Sequence, residues 1–181
     1  VRRATTAGAR GIMRLRGLWR VQMRNVLVVY VNRRHPQRAS ILDHLGAFGR
    51  HADARVFYLN LGMRRVPGYL RRVPFDLILF HHLFLGSRWK RSLFERVVER
   101  AAPLKALPGV RTAFPQDEFF DTKSVEGFCL DHGVQHLFSV APESEWERIY
   151  PSLSRTGTRF HRVLTGYLEG ATLDRIAVLR A

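Results

Sequence analysis

Two adjacent histidines and two adjacent carboxylates are the residues of this chain best suited to chemistry. His81 and His82 follow an apolar run, and Asp117 and Glu118 lie within the stretch FPQDEFF at residues 114–120. A histidine or carboxylate near arginine in a cleft can have its pKa shifted toward acid–base catalysis. These residue types therefore suit the removal of a proton from a substrate, provided that the fold brings them together.

The elements that must position these residues follow from hydrophobic periodicity. From residue 26 onward, short apolar runs alternate with helical patterns, which is typical of a parallel sheet covered by helices. The predicted fold is α/β, a Rossmann-like open parallel sheet of about six strands with helices on both faces. The predicted strands are Val26–Val31, Arg55–Leu59, Phe75–Phe80, Val110–Phe114, His136–Ala141 and Phe160–Thr165.

Helices are predicted between these strands. The first carries Ile41, Leu45 and Phe48 on one face and is expected to be capped by Ser40. The clearest helix covers residues 88–102, with charges facing outward, and ends at a proline. Its inward residues are predicted to be Trp89, Leu93, Val97 and Val98. Shorter helices are predicted at Thr122–Asp131, Glu143–Tyr150 and Ala171–Leu179, with one helical turn at Tyr69–Arg72.

Candidate ligand contacts are the polar residues just after the strands, because open parallel sheets bind ligands beyond their carboxyl ends, where the strand order reverses. With the order 2-1-3-4-5-6, the tips of strands one, three and four are neighbours. Asp117 and His82 are the candidate catalytic residues. The candidate substrate-binding residues are Asn32, Arg33, His81, Gln116, Glu118, Gly166 and Tyr167.

Each candidate also has a purely structural interpretation. One histidine of the pair would pack into the core while the other is exposed. Asp117 would cap the following helix or pair with Arg33, and Glu118 would be solvated. Phe119 and Phe120 are expected to close the core rather than to stack on a substrate.

Neither the histidine pair nor the carboxylate pair has the i, i+3 or i, i+4 spacing of helix-borne metal sites, so no metal is expected. The single cysteine, Cys129, is interpreted as a small buried apolar residue. The sequence contains no G-x-G-x-x-G fingerprint, no phosphate-binding P-loop and no G-x-S-x-G elbow. A dinucleotide site, an NTPase and a serine hydrolase are therefore disfavoured.

The formal net charge of +15 is unevenly distributed. Residues 1–111 contain 23 basic and 5 acidic side chains, whereas residues 112–181 contain 7 and 10. A basic surface attracts phosphate groups of nucleic acid, lipid or nucleotide. However, 27 of the 30 basic residues are arginine, a bias that a GC-rich genome would also produce.

Residues 1–22 contain six arginines and no acid, and we expect this arm to be disordered. Met23 precedes the first strong apolar run, which suggests that translation starts there and that residues 23–181 form one domain. The chain has neither an apolar run of roughly 20 residues nor a signal-peptide core. We therefore expect a cytoplasmic protein.

Several of these segments together resemble the N-terminal domain of bacterial glycosyltransferases of the GT-B type, similar to families 1 and 4. The segments are NVLVVYVNRRHPQRASILDHLGAF, FDLILFHHLFLGSRW, FPQDEFF, HLFSVAPESEWERIYP and VLTGYLEG. The resemblance covers about residues 23–175 and rests on their order and spacing. It implies transfer of a sugar from a nucleotide-sugar donor to an acceptor, without a catalytic metal or other cofactor.

In the GT-B architecture the C-terminal domain holds most of the donor, and the N-terminal domain binds the acceptor. The chain ends at Ala181, where that second domain would begin. The resemblance therefore implies that the donor-binding half is supplied in cis or in trans, or that the domain is a noncatalytic module. In each case we expect the isolated chain to transfer no sugar.

A different class of function remains open, a noncatalytic Rossmann-like binding module with a basic face. Four arginines at positions 64, 65, 71 and 72 surround Pro67 and Tyr69. Such a patch would contact an anionic membrane in preference to nucleic acid. For a cytoplasmic protein, that surface would be the inner face of the membrane. The alternative is a solvated arginine-rich loop.

Overall fold

The computed structural model describes residues 25–32 and 38–164, together with residues 170, 174 and 177–179. In this part of the chain, six strands form one fully parallel sheet in the order β2-β1-β3-β4-β5-β6. The strands are β1 (Asn25–Tyr30), β2 (Arg55–Asn60), β3 (Leu77–Phe80), β4 (Val110–Ala113), β5 (His136–Ser139) and β6 (Arg159–Arg162). The predicted fold class is confirmed, and the strand order is the one that the sequence analysis assumed.

Helices and short 3-10 turns connect the strands. The α-helices are α1 (Ala39–His51), α2 (His82–Leu85), α3 (Arg91–Ala101), α4 (Thr122–Asp131) and α5 (Trp146–Ile149). The 3-10 turns are Gly68–Arg72, Gly86–Trp89, Ala102–Ala106, Glu143–Glu145 and Leu153–Arg155. Among the described residues, none of the helices combines the length and the apolarity needed to cross a membrane.

The sheet is apolar on both faces, as the alternation along β1 illustrates. Leu27 and Val29 belong to the larger core cluster, which also includes buried side chains of α3 and α4. Val26 and Val28 point to the other face, where they pack with Leu45 of α1. Both faces are thus covered by helices, which gives the three layers of a Rossmann-like fold.

The strand order reverses between β1 and β3. From β1 the chain crosses to β2 on one side, whereas from β3 it crosses to β4 on the other side. Such a switch point leaves a crevice beyond the carboxyl ends of the two strands. Val31 after β1 and the residues after β3, together with the neighbouring loop after β4, therefore border the crevice.

Two helix predictions need correction. Helix α1 begins at Ala39 with Arg38 as its N-cap and without a side-chain cap, so Ser40 lies inside the first turn and does not cap the helix. The segment Glu143–Tyr150 divides into a 3-10 turn and α5. Thr122–Asp131 is helical as predicted, and the predicted final helix lies largely outside the described residues.

The predicted helix over residues 88–102 is divided as well, with a consequence for which side chains are buried. Gly86–Trp89 forms a 3-10 turn, and Lys90 is extended before α3 begins. The break shifts the helical phase, so Arg88 is only 2% exposed whereas Trp89 is 50% exposed. The prediction that charges point outward and Trp89 inward is wrong at these two positions.

Candidate functional site

The two histidines after β3 occupy different environments. His81 is completely buried and caps α2, because its Nδ1 accepts a hydrogen bond of 3.1 Å from the backbone N–H of Leu83. His82 is half-buried at the crevice. Burial, reinforced by His82 and His44, lowers the pKa of His81 to about 2, and burial with His44 lowers that of His82 to about 4. Both rings are therefore neutral at pH 7.

A third histidine, which the sequence analysis did not identify, joins this pair. His44 lies on α1, and its Nδ1 is 2.8 Å from Nε2 of His81. Its ring centroid is 5.0 Å from that of His82. The sequence did carry a signal, because His44 is three residues after Ile41 and four before Phe48, on the predicted inner face of α1.

The three rings form one cluster, which we call the histidine cluster: His44, His81 and His82. One ring nitrogen from each lies within 4.8 Å of the others. Three imidazoles at this separation are arranged closely enough to hold a transition-metal ion. Two of the histidines are adjacent in sequence and the third comes from another element, so a search for helical spacing could not detect the cluster.

The loop after β4 is organised by the buried guanidinium of Arg88. It donates to the backbone carbonyls of Gln116 at 2.6 Å, Asp117 at 2.7 Å and Phe120 at 2.9 Å. It also donates to Leu85 at 3.1 Å. These bonds occupy four of the five N–H donors of a buried cation that forms no salt bridge with any described residue, and they fix the backbone of the loop.

Glu118 anchors the same loop from the other side. Its Oε1 accepts from the hydroxyls of Ser139 and Tyr150, each at 2.8 Å. Its Oε2 accepts from the backbone N–H groups of Val140 at 2.8 Å and Ala141 at 3.2 Å. Burial and the Glu118 carboxylate raise the pKa of Tyr150, which keeps its hydroxyl protonated as a donor.

This environment corrects the expectation for Glu118. The residue is 8% exposed, so it is not solvated. Its oxygens accept four hydrogen bonds from the protein, which makes it a structural anchor of the loop rather than a ligand contact. Sequence position alone could not reveal this, because the donors come from the end of β5, the two residues that follow it and the residue after α5.

Asp117 is placed differently from its neighbour. Its side chain is exposed, and its backbone has a φ of 55°, in the left-handed region that disfavours side chains with a Cβ. Asp121 rather than Asp117 caps α4, accepting from the N–H of Ser124 at 3.4 Å. A strained aspartate held at a crevice is a feature frequently found at binding sites.

The aromatic residues of the loop were expected to close the core, but neither of them is fully buried. Phe119 is 82% exposed. Phe120 is half-buried and stacks on Trp89 with ring centroids 4.0 Å apart and an interplanar angle of 2°. The half-exposed indole of Trp89 is therefore held flat beside the crevice.

Two adjoining pockets open at the crevice and share Ile41, His82 and Gln116. The larger pocket, the crevice pocket, has a volume of about 570 Å³ and is also lined by Val31, Leu83, Gly86, Ser87, Trp89, Lys90, Leu93 and Asp117. The smaller one, the inner pocket, has a volume of about 80 Å³ and is also lined by Ser40, His44, Phe114, Pro115, Phe138, Val140, Val163 and Leu164.

The remaining candidates divide into two groups. The backbone of Asn32 pairs with the side chain of Asn60, which donates to its carbonyl at 2.8 Å and accepts from its N–H at 3.0 Å. Arg33, Gly166 and Tyr167 lie outside the described residues. The structure thus brings His82, Gln116 and Asp117 to one crevice, whereas His81 is buried and contacts His44. It adds His44 and Trp89 as lining residues, and Arg88, which holds the loop.

Comparison of the chain with protein-family models, with curated proteins and with solved structures found no match.

Proposed function

We propose that this chain is the acceptor-side domain of a GT-B-type glycosyltransferase and that the crevice pocket binds the sugar acceptor. The observation that carries the proposal is that His82, Gln116 and Asp117 line one open pocket at the switch point of the sheet. Amide and carboxylate oxygens accept hydrogen bonds from sugar hydroxyls, and the exposed indole of Trp89 offers a flat apolar surface to the C–H face of a sugar ring.

In the proposed reaction, a base at the crevice takes the proton of an acceptor hydroxyl. The hydroxyl oxygen then forms a bond to the anomeric carbon of the donor, and the bond from that carbon to the nucleoside diphosphate breaks with the electron pair leaving on the diphosphate. Asp117 is the first candidate for the base, because its carboxylate is exposed in the pocket. His82 is the second, since its neutral ring offers a lone pair, although the lowered pKa makes it a weaker base than an ordinary histidine.

The donor nucleotide is assigned to a second domain, in cis or in trans, and the proposal requires no cofactor or catalytic metal in this domain. The described residues of the crevice supply aromatic, amide and carboxylate groups suited to an acceptor. We therefore expect the isolated chain to bind acceptor sugars and to transfer none. Turnover of a nucleotide sugar by this chain alone would contradict that division of roles.

Replacement of Asp117 by asparagine is expected to weaken acceptor binding about tenfold. Asparagine tolerates a positive φ better than most residues, so this variant removes the charge while retaining the loop backbone. A hydrogen bond to a charged group contributes roughly 1.5–3 kcal/mol, and because asparagine retains a neutral acceptor oxygen, the loss should lie near the lower end of that range, about tenfold. The measurement is an NMR titration with the methyl glycosides of glucose, galactose, mannose and N-acetylglucosamine.

Asp53→Asn is the matched control, because Asp53 is an exposed carboxylate between α1 and β2. It should bind the same sugar with unchanged affinity. Asp117→Gly adds a second control: glycine relieves the strain at φ 55°, so we expect this variant to be at least as stable and still to bind poorly. Equal affinity in all three variants, or unchanged turnover of Asp117→Asn in the complete enzyme, would remove Asp117 from the site.

A second candidate function, peripheral contact with an anionic membrane, is favoured by the connection between β2 and β3. Arg64, Arg65, Arg71 and Arg72 are all exposed there, and none forms a salt bridge within the described part of the chain. Met63 is 68% exposed and Tyr69 is 59% exposed in the same connection. Cationic heads with exposed apolar side chains suit the headgroup region of a bilayer.

Replacing the four arginines by glutamine is expected to abolish sedimentation with vesicles containing phosphatidylserine. Each basic residue near such a surface contributes about 1 kcal/mol. The control replaces four exposed arginines elsewhere, Arg91, Arg96, Arg148 and Arg155, which removes the same charge. Equal loss of vesicle sedimentation in both variants would show that only net charge matters. Tighter binding to DNA than to vesicles would instead favour a nucleic-acid role.

A further inference from the structure

The histidine cluster contains a chain of hydrogen bonds that begins at a backbone amide. The N–H of Leu83 points at Nδ1 of His81 over 3.1 Å, and Nε2 of His81 lies 2.8 Å from Nδ1 of His44. A backbone N–H can only donate a hydrogen bond. Nδ1 of His81 must therefore carry a lone pair and no proton.

This starting point determines the proton positions along the chain. A neutral imidazole carries its single proton on one nitrogen, so the proton of His81 resides on Nε2. Nε2 then donates to His44, whose Nδ1 must accept. The proton of neutral His44 is thereby confined to its own Nε2. Burial lowers the pKa of both residues, which keeps the two rings neutral and preserves this order.

His44 also borders the inner pocket. Because its Nδ1 is occupied by His81, its Nε2–H is the group left to serve a ligand there. None of the described residues that line this pocket has an ionised side chain at pH 7, because His44 and His82 are neutral and the others are uncharged. A pocket of about 80 Å³ has room for a small polar substituent rather than for a whole sugar ring.

We infer that the inner pocket is a subsite for an uncharged hydroxyl group, whose oxygen accepts a hydrogen bond from Nε2–H of His44, with His81 as the positioning residue that fixes this tautomer. The inference deepens the proposed function, since the hydroxyl would belong to the acceptor sugar in the adjoining crevice pocket. The proton order itself does not depend on sugar transfer.

The same cluster could instead be a metal site, and the proton order distinguishes the two. A metal ion needs a free lone pair from each ring, but Nε2 of His81 carries a proton as long as Leu83 donates to Nδ1. Hydroxyl binding is therefore the inference favoured by the described contacts.

The test is a long-range ¹H–¹⁵N NMR experiment on the imidazole rings of the full chain at pH 7, with assignments from His44→Gln and His82→Gln variants. We expect both His44 and His81 to be neutral and protonated on Nε2. Protonation of His44 on Nδ1, or an imidazolium signal from either ring, would overturn the inference. This measurement requires no ligand, so it can fail or succeed independently of sugar binding.

His81→Asn separates the positioning role from the helix cap. The amide oxygen of the asparagine can still accept a hydrogen bond from the N–H of Leu83. The shorter asparagine side chain has no N–H that reaches His44. We expect His44 to populate both tautomers in this variant and methyl-glycoside affinity to fall about fivefold. His81→Gln has an amide N–H that can extend to His44. This variant should therefore restore part of the His44 tautomer preference and part of the methyl-glycoside affinity. Normal His44 tautomer and affinity in His81→Asn would contradict a positioning role.

Titration with Zn²⁺ completes the test. We expect only weak binding that is insensitive to His44→Gln. Tight binding abolished by His44→Gln would overturn the hydroxyl subsite and establish a metal site. Correct tautomers without any sugar binding would leave the proton order intact and would contradict the proposed function instead. If His81→Asn does not fold, the tautomers of the unmodified protein and the Zn²⁺ titration still decide the question.

Discussion

Replacement of Arg88 by methionine is expected to lower the free energy of unfolding by about 3 kcal/mol. The methionine side chain retains much of the volume but removes the guanidinium donor from four backbone carbonyls, of which that of Asp117 also accepts from the N–H of Phe120. Each buried acceptor left unpaired costs about 1–3 kcal/mol, and removing the buried cation offsets part of that loss. Urea denaturation measures the change.

Two variants sharpen this result. Arg88→Lys keeps the charge but replaces a planar fork of donors by a single ammonium, so we expect an intermediate loss. Arg91→Met is the matched control, because Arg91 is 90% exposed and, among the described residues, pairs with Glu95 on the surface of α3. It should leave stability almost unchanged, because exposed ion pairs contribute little. A loss below about 1 kcal/mol in Arg88→Met would show that water replaces the guanidinium and that Arg88 does not hold the loop.

The second large effect is a loss of stability in mild acid. The folded protein holds His81 and His82 with pKa values of about 2 and about 4, whereas an unfolded histidine titrates near 6.5. Below pH 6.5 the unfolded chain binds protons that the folded chain does not, so stability falls as the pH falls. Between pH 7 and pH 5, each of the two histidines contributes a loss of about 2 kcal/mol, or about 4 kcal/mol together.

Urea denaturation at pH 7, 6 and 5 measures this slope. Burial also lowers the pKa of His44 and His132, which adds to the loss in the same direction. His82→Gln should remove roughly half of the contribution of the pair. Equal stability at pH 7 and pH 5 would contradict neutral burial of the cluster.

The histidine cluster and the loop after β4 illustrate how far the sequence leads toward the site. It located His82 and Asp117 at strand ends, since a parallel sheet places such residues along one edge whatever the details of packing. The sequence did not distinguish Asp117 from Glu118. Yet Asp117 is exposed, whereas Glu118 is only 8% exposed and accepts hydrogen bonds from four donors. Adjacent residues can have opposite environments because a loop backbone, unlike a strand or helix, has no fixed period.

The sequence by itself determined the six parallel strands and the burial of Cys129, because those depend on local apolar runs and on general rules of chain connection. Only the tertiary structure decided that Arg88 is buried, that Glu118 is an anchor and that His44 completes a cluster. Each of these depends on contacts between residues 21 to 37 positions apart. Such pairings leave no period in the sequence, so they become visible only when the elements are packed.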